Sequence, residues 1–166
     1  MSAIASSKSL DSRSPLLRTL VLGGMFIFII QAINMWIVYT LIQKTPFVVS
    51  WQFIASGALG MSAFEGGTAT ALVGVLFHFI ISFLIAGVFI LAVDRIPFLS
   101  RYVIPVSLLY GFAVFIVMNM IVIPLSATPP LPAPALPWLI QAILEHMLLI
   151  GLPLGLLVRW NINSKI

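Results

Sequence analysis

The chain has 166 residues, of which 61% are hydrophobic and 7% charged, with eight Lys or Arg against four Asp or Glu. An ordinary soluble domain is about 45–50% apolar and about 25% charged, so these few charges cannot cover a water-facing surface of this size. A soluble enzyme, a nucleic-acid binder and a disordered chain are excluded, and the net charge of +4, scattered singly or in twos and threes, marks cytoplasmic loops of a membrane protein.

A polar segment, residues 1–18 with Lys8, Arg13 and Arg18, opens the chain. A helix crossing roughly 30 Å of hydrocarbon needs about 20 apolar residues. Residues 19–41 form the first such span and end at Gln43-Lys44-Thr45-Pro46. Its apolar run exceeds the about 7–15 residues of a signal core and no small-x-small cleavage site follows, so it reads as an uncleaved anchor. Residues 47–64 (FVVSWQFIASGALGMSAF) barely reach crossing length and are interrupted by Ser50, Gln52, Ser56 and Ser62. The second span, 68–93, stops at Asp94-Arg95-Ile96-Pro97, and the third covers 102–124. Residues 125–137 (LSATPPLPAPALP) carry five prolines and no charge, which makes a stiff, polyproline-like outer loop. The fourth span, 138–160, has a Trp at each end, where amphipathic rings prefer the interface, and residues 161–166 form a cytoplasmic tail.

Orientation decides the role of 47–64. If it does not cross, Lys8, Arg13, Arg18, Arg95, Arg101, Arg159 and Lys165 share one side and Lys44 alone faces the other. If it crosses, only Lys8, Arg13 and Arg18 remain with the N-terminal side, against the positive-inside rule. The expected fold is therefore an all-α integral membrane protein: one domain of four transmembrane helices plus one short interfacial or re-entrant helix on the outer face, with both termini cytoplasmic.

Helices in lipid associate through small residues. In the second span Gly67, Ala71, Gly74, His78, Ser82 and Ala86 form one stripe along which a partner helix should lie. Ser107 and Gly111 begin a similar stripe in the third, while Gly111, Phe115 and Asn119 align toward its outer end. In the fourth, Gln141 and Glu145 share one line and Ala142 and His146 the next; in the first, Gln31 and Asn34 share a face. Such Gly/Ala/Ser faces also offer surface for a homo- or hetero-oligomer.

At about 1.5 Å per residue, Gln31 and His78 lie roughly 15 Å below the outer edge, Glu145 and His146 roughly 10–12 Å, Asn34 about 10 Å and Asn119 about 7 Å. The strongly polar residues of the spans thus gather between the outer interface and the midplane. Intramembrane ionisable groups face a bundle interior or a cavity, so these six are expected to line one polar pocket open to the outside, with Glu65 on its rim.

Three readings of that pocket stand. The side chains hydrogen-bond across helices and fix the packing, as in an accessory or small-ligand-binding protein without a cofactor. Alternatively His78 and His146 hold a b-type haem, with Gly74 leaving room for the macrocycle. The third is passage of a proton or small solute through Glu65, Glu145 and the histidines. With no Cys, disulfides, thiolate metal sites and covalently attached haem are excluded. No catalytic motif and no metal-ligand spacing is present, and Glu65, in AFEGG, has a plain structural use at a helix N-terminus.

The run IASGALGMSAFEGGTATALVGVLFHFII, followed by LLYGFAVFIVMNMIVIPLSA, resembles the YagU-like family of small bacterial inner-membrane proteins of unknown function. The similarity covers roughly residues 51–160 and is carried by Gly57, Gly60, Gly66, Gly67, His78, Tyr110, Gly111, Asn119 and Pro124-Leu125-Ser126. It implies a multi-pass protein of a bacterial plasma membrane and supplies no substrate; relatives with a carboxylate in the first span would differ from this chain at Gln31.

Overall fold

A computed structural model describes residues 2–130 and 132–163. Leu131 of the proline-rich loop and the tail from 164, with Lys165, lie outside the described residues, as do the side chains of Lys8 and Arg13. Every regular element described is helical. Five helices are long and apolar enough to cross a membrane: α1 Leu16–Ile42, α2 Phe47–Phe64, α3 Gly67–Arg95, α5 Val103–Leu125 and α6 Leu136–Asn161. A short α4, Pro97–Arg101, joins α3 to α5. The backbone of α1 is helical back to Ser2.

Local chemistry sets the breaks. Ile96 is extended (φ −119°, ψ 99°) because the residue before a proline is pushed out of the helical region, and Pro97 then starts α4 at its first turn. Around the last turn of α2 and the start of α3 the chain needs left-handed backbone at Gly60 (φ 60°) and Gly67 (φ 56°), a conformation that costs glycine little.

Contacts fix the direction of each helix. Phe28 of α1 packs on His78 and Phe79 of α3, Gly24 lies under Phe83, Gly23 beside Ala86 and Leu20 beside Gly87. Numbers fall along one helix as they rise along the other, so α1 and α3 are antiparallel. The segment between them, α2 included, must leave and return at the same end of the bundle. The hydrogen bonds and ring contacts of α2 to α3 fall between Gly67 and His78: Gln52 Nε2 donates to the Gly67 carbonyl (3.0 Å), Thr70 Oγ1 donates to the Ala63 carbonyl (2.6 Å), and the Trp51 ring meets His78 at 5.6 Å. Tyr110 of α5 donates to the Ile85 carbonyl of α3 (2.7 Å). At the far end Asn161 of α6 donates to Thr19 of α1 (2.8 Å), and Arg18 stacks on Trp160. The start of α1 and the end of α6 therefore share one end, and α2 caps the other.

The core occupies the end away from α2. Ile27, Phe89, Ile90, Val93, Val103, Ile150, Leu154 and Val158 close it, with Ile27, Phe89 and Leu154 each 1% exposed. The outside is as apolar as the inside: α3 presents Leu72, Leu76, Ile80, Leu84, Val88 and Leu91 outward. A surface of this kind belongs in hydrocarbon, and the protein is membrane-embedded.

Small residues are spent inside the chain. A Cβ on Gly111 would meet the His146 carbonyl, one on Gly151 the Ser107 carbonyl, and one on Gly155 the Ser107 side chain. Ser107, fully buried, donates to the Ile104 carbonyl (2.8 Å), so its hydroxyl is satisfied within its own helix. The stripe on α3 was expected to seat one partner helix; it seats two. Trp51 of α2 lies over Gly74, while Gly23 of α1 lies beside Ala86, because α2 covers only the outer part of α3 and α1 takes the rest. Much of the surface open to an oligomer on sequence grounds is thereby occupied by the chain itself.

Gly111→Val should lower stability by about 1–3 kcal/mol, the cost of forcing extra methyls into a closed contact. Gly57→Ala, where a Cβ finds its nearest neighbour at 3.8 Å, should be neutral or stabilising. Denaturant titration of both variants in mild detergent reads the difference, and equal behaviour would refute the α5–α6 seam.

Candidate functional site

The α6 helix supplies the charge. Pro137 occupies its first turn, where a missing N–H costs nothing, and Gln141 and Glu145 follow one turn apart on one face. Gln141 Nε2 donates to Glu145 Oε1 at 2.7 Å. Both side chains face a cavity of about 700 Å³ at the α2 end of the bundle. Its other walls are Val38 and Tyr39 of α1, Phe53 of α2, and Phe115 and Asn119 of α5.

Two features create this space. The contacts between α1 and α6 lie at the opposite end, at Thr19–Asn161 and Gly23–Leu154, so the two helices part as they approach the cavity. The loop after α5 then roofs the gap. The Ala127 amide donates to the Gly57 carbonyl (3.0 Å), which pins the loop on α2, Ser126 and Thr128 bond each other within it (2.8 Å), and Pro129, Pro130, Pro132 and Pro134 line the opening. Three of the four helices lining the space carry a widened, π-type turn at or beside this level: Trp36–Ile42, Val117–Val122 and His146–Gly151. Such turns re-aim side chains and recur at functional sites.

Of the six residues expected in one pocket, Asn119 and Glu145 line the cavity. Asn119 Nδ2 donates to its own Phe115 carbonyl (2.9 Å). The other four do not line it, which corrects the expectation of a single polar pocket. Asn34 and Gln31 lie one and two turns below Val38 on α1, under the cavity floor, and make no side-chain hydrogen bond among the described residues. His146 is turned away from Glu145 by the 100° step between neighbours; its Nδ1 bonds the Ala142 carbonyl (2.7 Å) and its ring packs edge-on to Phe115. His78 is boxed between Phe28 and Trp51 at 5.4 and 5.6 Å, with Nε2 buried and unpartnered. The two histidines thus occupy separate surroundings, and the space beside Gly74 expected for a macrocycle is filled by the Trp51 backbone. Glu65 is exposed in the turn before α3, caps nothing with its side chain, and lies off the cavity wall.

Sequence reasoning missed Tyr39, Gln43, Phe53, Trp138 and the prolines as lining residues. Tyr39 and Trp138 carry a signal as span-end aromatics, but that pattern also fits plain interfacial anchoring. Nothing in the sequence brings Phe53 to α6. A polar contact also sits at the opposite end, where Asn161, beyond the fourth span, donates to Thr19.

His78→Phe keeps the ring in its aromatic box and removes a buried, unsatisfied nitrogen, which costs about 1–3 kcal/mol where it stays unpaired. The variant should be as stable as the parent or more so in thermal melts. A loss above about 1 kcal/mol would mean that the imidazole makes a stabilising polar contact, at the Phe28 backbone or with a partner from outside the chain. Compared with known proteins, the chain matches no family model, no curated protein and no solved structure.

Proposed function

We propose that this chain is a non-enzymatic, multi-pass protein of the bacterial plasma membrane that binds a small ligand in its outer cavity. In this reading α1, α3, α5 and α6 cross the bilayer, α2 is re-entrant on the non-cytoplasmic side, and both termini are cytoplasmic. The antiparallel run of α1 and α3 supports four crossings, and the placement of Arg18, Arg95, Arg101 and Arg159 toward the end opposite α2 supports the orientation. Membership of the YagU-like group remains part of the proposal; the close packing at Gly111 and the left-handed backbone at Gly60 and Gly67 give three of the shared glycines a physical use.

The observation that carries the functional reading is the cavity itself. A lone carboxylate, Glu145, and three amide side chains, Gln43, Asn119 and Gln141, line a space of about 700 Å³, within the range of small-molecule sites. Beneath it the core around Ile27, Phe89 and Leu154 is closed and apolar, which favours binding over conduction.

Because the chain has no Cys, single cysteines report topology cleanly. Ser62→Cys and Ala133→Cys should react with a membrane-impermeant maleimide on intact cells and Ser100→Cys should not; labelling of Ser100→Cys from outside would overturn the orientation. For binding, melting of the detergent-purified protein against a panel of small solutes should reveal a ligand that stabilises it by about 2.7 kcal/mol at a hundred times its Kd. Ala142→Trp fills the cavity and should abolish that protection. Protection that survives the substitution would place the ligand elsewhere.

A further inference from the structure

The side chains around the cavity are unbalanced in charge. Glu145 contributes acceptors only, and Gln141 turns one of its two amide N–H donors to that carboxylate. Asn119 gives one amide N–H to the Phe115 carbonyl. The roof is proline-rich, and each proline brings a carbonyl with no N–H to offset it. Neutral donors on Tyr39, Gln43, Thr128 and Trp138 share the lining, and among the described residues Glu145 is its one charged side chain.

No cation of the described residues answers this. Lys44, next to the lining residue Gln43, is exposed and donates its Nζ to the Leu41 carbonyl (2.7 Å). The ion pair among the described residues joins Asp94 to Arg95 at the far end. An intramembrane carboxylate without a counter-ion is costly and normally faces whatever neutralises it.

The rest of the lining is aromatic. Tyr39, Phe53, Phe115 and Trp138 come from four different helices, and their ring faces attract a cation whose hydration is weak. Glu145 and Gln141 also border a second, shallow groove on the lipid side of α6, floored by Pro137, Ile140, Leu144 and Leu148. The carboxylate thus stands at a window between the cavity and the hydrocarbon.

We propose that the ligand is an organic cation with an apolar body, a lipophilic ammonium or phosphonium, held with its charge at Glu145 and admitted sideways from the outer leaflet. A compact metal or ammonium ion would gain little from four rings and an apolar groove; an anion would be repelled by Glu145, with no cation of the described residues in the lining to offset it. This rests on the outer cavity being a binding site, and it adds the charge and character of what binds there.

Two ions of one shape and opposite charge test it: tetraphenylphosphonium and tetraphenylborate, in equilibrium dialysis with the full chain purified in mild detergent. The phosphonium should bind at one per chain, at least about ten-fold more tightly than the borate, a gap of about 1.4 kcal/mol. Glu145→Gln, which preserves an acceptor for Gln141, should weaken the phosphonium about ten-fold or more and leave the borate unchanged; Trp138→Leu should weaken it several-fold. Equal binding of both ions, an unaltered phosphonium affinity in Glu145→Gln, or no phosphonium binding overturns the proposal. A neutral or anionic solute that protects the parent but not Ala142→Trp would also overturn it, while the cavity would stand as a binding site.

Discussion

The structure depends on how closely α5 and α6 approach. In lipid, burying apolar surface gives helices little reason to associate, so contact must come from backbones that fit together. Gly111, Gly151 and Gly155 supply that fit: each offers no Cβ where the opposing helix presents a carbonyl or Ser107. The seam is short and lies in the middle and inner parts of the bundle. Tyr110 reaches from α5 to the Ile85 carbonyl and ties the pair to α3.

A tight seam at one end permits a gap at the other. The half away from α2 is filled by Ile27, Phe89, Leu154 and their neighbours, and α1 meets α6 there through Thr19 and Asn161. Toward the α2 end the helices diverge, turns in α1, α5 and α6 widen, and α2 with the proline-rich loop closes that end. The result is a molecule with a closed, apolar base and an aromatic chamber holding one carboxylate at its other end. Packing and site are one arrangement seen from its two ends.

The residues that first draw attention divide along the same line. Glu145 and Asn119 reach the chamber, while His78 and His146 are absorbed into packing, one between Phe28 and Trp51, the other against Phe115 and the Ala142 carbonyl. A histidine in a membrane helix draws a functional reading by rarity alone. Here the aromatic rings around each of them account for its position.

Composition and hydropathy by themselves determined that the chain is helical and membrane-embedded, because so few charges leave no other solvent, and runs of about twenty apolar residues permit no other element. The periodicity of α6 likewise placed Gln141 and Glu145 on one line, a local matter of helical pitch, and their hydrogen bond follows from it. Depth along a helix is also readable, since rise per residue is fixed. Rotation and neighbourhood are not. Whether Asn34 or Tyr39 faces the gap, whether Trp51 or a cofactor fills the space at Gly74, and which rings surround Glu145 depend on how helices distant in sequence are turned against each other. That is settled by side-chain volume and backbone approach at contacts such as Gly111–His146 and Gly74–Trp51, which exist only once the bundle has formed.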